Sequence, residues 1–267
     1  MLLALSASTA TARDDETHHL DGEARQIADW LIACQRAGWE DGDIETYLGQ
    51  WHADAVLVLA RTEEPGAYDQ HIPLERLEPT RRLRMTEVNN GTTLSFSDIR
   101  VQVDGDDAVV NWRAVTTGPD AVFRELMRER YTLKRAEEGW HVLENRAWFL
   151  GIEQRGAKTM FTEQHWARVD AAAQEATLAN EPRKLRVALL DAYRFPEAHA
   201  AAIEATELGN ADADDWAWRG FLAVIASDAG DARDAFIRAR ELDPEIALPP
   251  YAKNVFAQPP AEADLDE

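Results

Sequence analysis

The sequence predicts an α+β fold, a cone-shaped curved antiparallel sheet wrapped round helices, followed by an all-α domain of helical repeats. Three observations carry this. Between Thr93 and Phe149 apolar residues recur at every second position over four stretches separated by turn-forming segments. Ahead of them, Glu23 to Trp51 places its apolar residues at helical spacing. Beyond Gly151 the two-residue period stops, and the chain becomes Ala-rich with helical spacing.

Taken in order, Asp14 to Asp21 is polar and reads as a solvated tail, with His18 and His19 adjacent in it. Ile27, Leu31 and Cys34 mark an amphipathic helix that ends near Gly38. A shorter helix follows the Glu40 to Asp43 turn, with Asp43 placed to cap it and Ile44, Tyr47, Leu48 and Trp51 on its apolar side. His52 to Leu59 runs from a turn into a buried strand, and Tyr68 to Ile72 pairs back after the Pro65-Gly66 turn. Leu74 to Met85 reads as a helix broken at Pro79, lying over an opening. Four strands follow at Thr93–Val103, Ala108–Thr116, Val122–Arg135 and Trp140–Phe149. The last two form a long hairpin round the acidic turn Ala136 to Gly139. Gly151 to Thr162 reads as a charged connector. Helices are then expected over Glu163–Ala179, Arg183–Tyr193, Pro196–Leu208, Ala213–Ala226 and Ala232–Leu242.

Composition narrows the function classes. A net charge of −21 over 267 residues, with no cluster of Lys or Arg, argues against general binding to nucleic acid or to an anionic membrane. No apolar run reaches the length of a membrane span. Cys34 is alone, so neither an internal disulfide nor a Cys-based metal site can form, and no metal or cofactor is expected. Met1 to Ala12 has a short apolar run and an Ala-Thr-Ala ending but no basic start. It reads equally as a truncated export signal or a tail, which leaves an exported and a cytoplasmic location both open.

Ala198, Ala205, Glu207 and Leu208 recur as Ala232, Ala239, Glu241 and Leu242, each 34 residues later. With Trp216, Gly220 and Phe236 at their positions and Pro244 closing the copy, this period resembles the tetratricopeptide repeat. Arg219 and Ala223 depart from its signature, and the preceding copy is degenerate. The resemblance implies helix pairs that hold a protein partner.

Gly42-Asp43, Trp51-His52-Ala53-Asp54-Ala55-Val56 and Gly139-Trp140-His141-Val142, in that order and with this strand pattern, resemble the nuclear transport factor two-like superfamily. That superfamily includes ketosteroid isomerases and SnoaL-type cyclases. The resemblance implies a cone with an interior pocket. An isomerase of this type would use a carboxylate base in the first strand, a Tyr on the first helix and a carboxylic acid on the penultimate strand. Here the base position falls at about Leu59, and Cys34 and Gln35 lie near the Tyr position. The His common near the end of the last strand in SnoaL-like members falls at Arg146. Only Glu129 matches, so a steroid-isomerase mechanism is not expected.

Alternation along the final strand puts Leu143, Asn145, Ala147 and Phe149 on one face, and Trp140, Val142, Glu144, Arg146 and Trp148 on the other. The first face predicts a pocket lined by Trp30, Leu31, Cys34, Tyr47, Leu143 and Asn145, with Glu129 and Tyr131 beside them. Complete filling of that space by the same side chains is the alternative. The second face is too apolar for water, which predicts an interface at Trp140, Arg146 and Trp148, covered by a second copy of the chain or by the helical domain. The expected layout is a tail at 1–22, a cone at 23–150, a connector at 151–162, a helical domain at 163–256 and an acidic tail at 257–267. The expected function is a non-catalytic cone that binds a small apolar ligand or forms a homodimer, fused to a protein-interaction module. The rival is a SnoaL-like isomerase, cyclase or hydrolase acting on a small apolar carbonyl compound, with Glu129, Tyr131 and His52 as its catalytic candidates.

Overall fold

A computed structural model of the protein describes residues 17–85, 92–118 and 123–257. The expected export signal or tail at Met1 to Ala12 and nearly all of the acidic tail lie outside these residues. The elements run α1 (Gly22–Trp39), α2 (Ile44–Gly49), β1 (Trp51–Ala60), β2 (Gln70–Pro73), α3 (Leu74–Met85), β3 (Thr93–Asp104), β4 (Asp107–Thr117), β5 (Phe123–Ala136), β6 (Gly139–Gln154) and β7 (Ala157–Met160). Helices follow: α4 (Glu163–Ala179), α5 (Pro182–Asp191), α6 (Phe195–Thr206), α7 (Ala213–Ile225), α8 (Ala229–Leu242), a 3-10 turn at Pro250–Ala252 and α9 (Lys253–Ala257).

The strands form one open curved sheet in the order β2-β1-β6-β5-β4-β3, with β7 pairing β6 beyond that path. β3 to β6 are an antiparallel meander, whereas β1 joins β6 in parallel. The main core lies between the concave face and α1 to α3, and holds Ile27, Leu31, Tyr47, Phe96, Trp112, Tyr131 and Leu133. Gly38 lets α1 and α2 touch, since a Cβ there would stand 2.7 Å from Tyr47 Cβ. The side chain of Asp43 accepts from the Thr46 backbone N–H at 3.1 Å, which caps α2.

Three expectations are corrected. The helix from Leu74 runs unbroken through Pro79. The proline leaves the Glu75 carbonyl without its donor, and both residues are exposed, so water can satisfy it. The connector after Gly151 is instead an extension of β6 and the strand β7, turning at Arg155 and Gly156 with positive φ of 49° and 81°. Every residue of β7 is exposed, which removes the apolar alternation that would reveal it in sequence. Residues 17–21 pack rather than dangle: Thr17 donates to Asp29 at 2.6 Å and a His19 ring nitrogen contacts the Ile99 carbonyl at 2.8 Å.

Successive helices from α4 to α8 pack against one another. Ala198, Ala205, Ala232 and Ala239 are fully buried, which allows close approach. The helices also bear directly on the sheet. Phe149 of β6 meets Tyr193 at 4.3 Å and Phe195 at 6.5 Å between ring centres. Arg61, at the end of β1, holds Asp170 of α4 with two bonds of 2.8 Å and donates to the Ala192 carbonyl at 2.9 Å.

Candidate functional site

The concave face does not fill completely. A cavity of about 240 Å³ remains between the sheet, α1 to α3 and the C-terminal helices. Leu57, Leu59, Ile72, Leu94, Phe96, Ala114 and Met127 supply its apolar wall. Phe195 at the start of α6 and Val224, Ile225 and Ser227 at the end of α7 close it from the helical side. Its polar groups include Gln35, Tyr47, Thr80, Arg81, Arg84, Glu125, Glu129 and Asn145.

Glu129 is fixed by two neighbours that the meander registers beside it. Trp112 sits opposite on β4 and donates its indole N–H to Oε2 at 2.6 Å. Asn145, paired with Tyr131 across β5 and β6, points its amide nitrogen at Oε1 from 3.4 Å. Trp112 is itself held between the rings of Phe96 and Tyr131, at 4.7 and 4.9 Å. Burial raises the Glu129 carboxyl above the ordinary range, and the bonds from Trp112 and Asn145 only partly oppose this. Glu125, two cavity-facing places along the same strand beyond Met127, is raised for the same reason. Both keep some accessible surface, and both line the cavity. The Tyr131 hydroxyl and Asn145 Oδ1 are buried without a hydrogen-bond partner. A protonated Glu129 therefore has acceptors close by.

The residues expected at the site are only partly brought together. Tyr47, Glu129 and Asn145 line the cavity. Leu31 and Tyr131 are wholly buried in the core, and Trp30 packs against its edge. Cys34 is buried, and desolvation followed by the nearby Asp43 pushes its thiol up to about 11, so it stays protonated near neutral pH. His52 is exposed, with Nδ1 accepting from the Asp54 backbone at 3.2 Å, and is no part of the cavity.

Leu143 departs from the expected face because β6 carries a bulge. Thr132 pairs Glu144 but Leu133 pairs Val142, so Leu143 is the extra residue. The bulge turns Trp140 and Val142 inward, and both join the main core, with Arg135 stacked on the Trp140 ring at 4.6 Å. Arg146 and Trp148 keep the opposite face and are 6% exposed. This chain's own β1–β2 loop covers Arg146, which pairs with Asp69 at 2.9 Å and donates to the carbonyls of Thr62, Glu63 and Glu64.

Arg81, Arg84 and Glu125 escape sequence reasoning. Among the charges of α3 nothing marks which arginines face inward, and the even charge distribution hides any amphipathic stripe. Glu125 lies just after a turn, where alternation gives no anchor. A fourth-residue spacing from Glu129 was the one available signal. Among the described residues no group of three His, Cys, Asp or Glu could hold a metal ion. No helix among them is long and apolar enough to cross a membrane.

No protein-family model matches the sequence, and no curated protein matches it either. Several solved structures resemble about half of the chain. An NTF2-like protein of unknown function from Pseudomonas putida KT2440 is 17% identical, with a TM-score of 0.38 over 46% of this chain and 82% of its own. An NTF2-like protein from Cytophaga hutchinsonii is 13% identical, with a TM-score of 0.38 over 48% and 99%. The association domain of CaMKII from C. elegans is 16% identical, with a TM-score of 0.37 over 46% and 93%.

Proposed function

We propose that the cavity is a binding site for one small organic molecule with an apolar body, and that the protein binds rather than transforms it. The observation that carries this reading is the cavity itself. A space of about 240 Å³ with an aliphatic and aromatic wall and a few inward polar groups is the usual make-up of a small-molecule site. The dispersal of the catalytic candidates supports binding over catalysis, since His52 stands at the surface and Tyr131 is sealed in the core. The C-terminal helices serve in the same reading as a tetratricopeptide-like module for a protein partner. Leu178, Val187, Leu208 and Leu242 are large apolar side chains exposed on or beside them, which supports this. A homodimer through the outer face of β6 is less well supported, because Arg146 is already satisfied within the chain.

The test is titration with a neutral aromatic alcohol, 1-naphthol, followed by quenching of tryptophan fluorescence. One saturable site per chain is expected, lost in Leu59→Trp, which fills the cavity. Absence of saturable binding would sink the reading.

One observation favours a second reading, that of an enzyme acting on a small carbonyl compound. A buried carboxyl whose uncharged form is favoured by burial is able, when protonated, to donate a hydrogen bond to a developing enolate. Turnover of an enolisable ketone that disappears in Glu129→Gln would establish it over binding alone.

A further inference from the structure

Helix α3 presents two kinds of arginine. On one side Arg82 is paired, with Glu78 at 2.8 Å and Glu45 at 2.5 Å. On the other side Arg81 and Arg84, three residues apart and so on one helix face, both line the cavity. Among the described residues neither forms an ion pair. Their guanidinium carbons lie instead over a single ring, that of Trp39, at 4.9 and 5.2 Å from its centre. Arg81 Nε is buried without a hydrogen-bond partner. Two like charges have thus been brought side by side, out of bulk water, onto one aromatic platform.

Such an arrangement is costly unless an anion completes it. Rings attract cations without engaging their N–H donors, and the neutral Tyr47 hydroxyl beside Arg81 brings no countercharge. The two available carboxyls, Glu125 and Glu129, do not complete it, because both stand outside ion-pair distance of the arginines. Burial also favours their uncharged forms, whereas Arg84 is weakened by desolvation and by Arg81.

Resting on the binding reading above, the geometry points to a small carboxylic acid as the ligand, with its carboxylate against Arg81 and Arg84, its hydrocarbon body along the Leu59 and Phe96 wall, and its far end toward Glu129. The planar fork of a guanidinium matches a carboxylate with two parallel bonds. A phosphate ester would bring a second negative charge into a small space that also holds two carboxyls, so the monoanion suits the cavity better. Glu129 and Asn145 then offer a donor and an acceptor to a hydroxyl or keto group at the ligand's other end.

The experiment compares benzoate, phenylacetate and hexanoate with their primary amides by calorimetric titration of the full chain. At least one acid should bind about tenfold or more tightly than its amide, the difference expected for charge-assisted bonds. Arg81→Gln and Arg84→Gln should each erase that preference, and Arg82→Gln should leave it in place. If Arg84→Gln fails to give a native circular dichroism spectrum, Arg84→Lys, which keeps the charge but loses the fork, should still weaken the acid. Amides that bind as tightly as acids overturn the inference and leave the binding reading standing. So does binding of 1-naphthol with no binding of any acid. Failure of 1-naphthol as well removes both together.

Discussion

Glu129 shows how a single residue can be well positioned and still destabilising. Its folded carboxyl is raised by burial, so over the pH range above about 4.5 the unfolded chain holds fewer protons than the native one. Stability from this group therefore falls as pH rises toward the raised value, and is recovered on acidification. Glu129→Gln keeps an acceptor for the Trp112 indole and adds an amide N–H for the unpartnered Asn145 Oδ1. The variant should be more stable than the parent at pH 7 by on the order of 1 kcal/mol. That advantage should shrink to nothing below about pH 4.5, a crossover read by urea denaturation at several pH values. Equal stability at all pH values would show that Glu129 ionises freely. Asp215 is the opposite case. Burial alone would raise its carboxyl, but bonds from Arg183 and Arg186 outweigh this and hold it below the ordinary range. Its contribution is present above about pH 4 and is lost as pH falls through the lowered value. Asp215 is 1% exposed and Arg186 6%, so Asp215→Ala leaves a buried guanidinium uncompensated. A loss of about 3 kcal/mol is expected at pH 7 by urea denaturation.

Elements differ in how plainly the sequence declares them. The first two strands of the meander, β3 and β4, are legible because each has one wetter side, so burial imposes a period of two. α4 is legible to the residue, since Thr162 caps it and Asn180 ends it in the left-handed conformation. The bulge at Leu143 is not legible, because an inserted residue leaves the alternation intact on either side and only shifts its phase. That one residue reassigns Trp140 and Val142 to the core and takes Leu143 from the expected pocket. α3 is the other case, where composition fails to separate Arg81 from Arg82 although one faces a cavity and the other pairs at the surface. The candidate site was thus half readable: Tyr47, Glu129 and Asn145 follow from period, whereas Arg81, Arg84 and Glu125 do not. In α7, Gly220 reads as a weak point of a helix but meets the fully buried Phe236 ring. A Cβ there would stand 2.6 Å from two ring carbons. Gly220→Ala gains up to about 1 kcal/mol in helix propensity. Displacing a ring in a packed core costs about 1–3 kcal/mol. A net fall in Tm is expected, reversed in sign when Phe236→Leu is already present. A rise in Tm for the single variant would mean that the ring can yield.

At the scale of the molecule, the sheet and the helices share side chains rather than merely adjoin. α3 divides between them, with Leu77 and Met85 in the core under the sheet and Leu83 in the cluster of Ala223, Val224 and Phe236. Backbone carbonyls of the helices are answered from the other side: Gln70 donates to Tyr193 at 3.2 Å, Arg76 to Ala226 at 3.1 Å, and Asn254 to Leu83 at 2.9 Å. Phe195 and the end of α7 form part of the cavity wall, so opening the helices would wet Glu125 and Glu129 further and weaken the cause of their raised values. These links predict one cooperative unfolding unit, in which amides of β4 and β5 and those of α6 to α8 exchange through the same global opening. Hydrogen exchange with mass detection in mild denaturant should give them equal opening free energies. Arg61 is the link to cut, since its side chain is 9% exposed and holds both Asp170 and the Ala192 carbonyl. Arg61→Ala leaves Asp170 half-buried and unpaired, for a loss of about 2 kcal/mol, less than a fully buried pair because Asp170 retains contact with water. In that variant α4 to α6 should exchange before β4 and β5. A parent protein whose helices already open at lower free energy than its sheet would refute the single unit, and the cavity would then be a site gated by the helices rather than sealed by them.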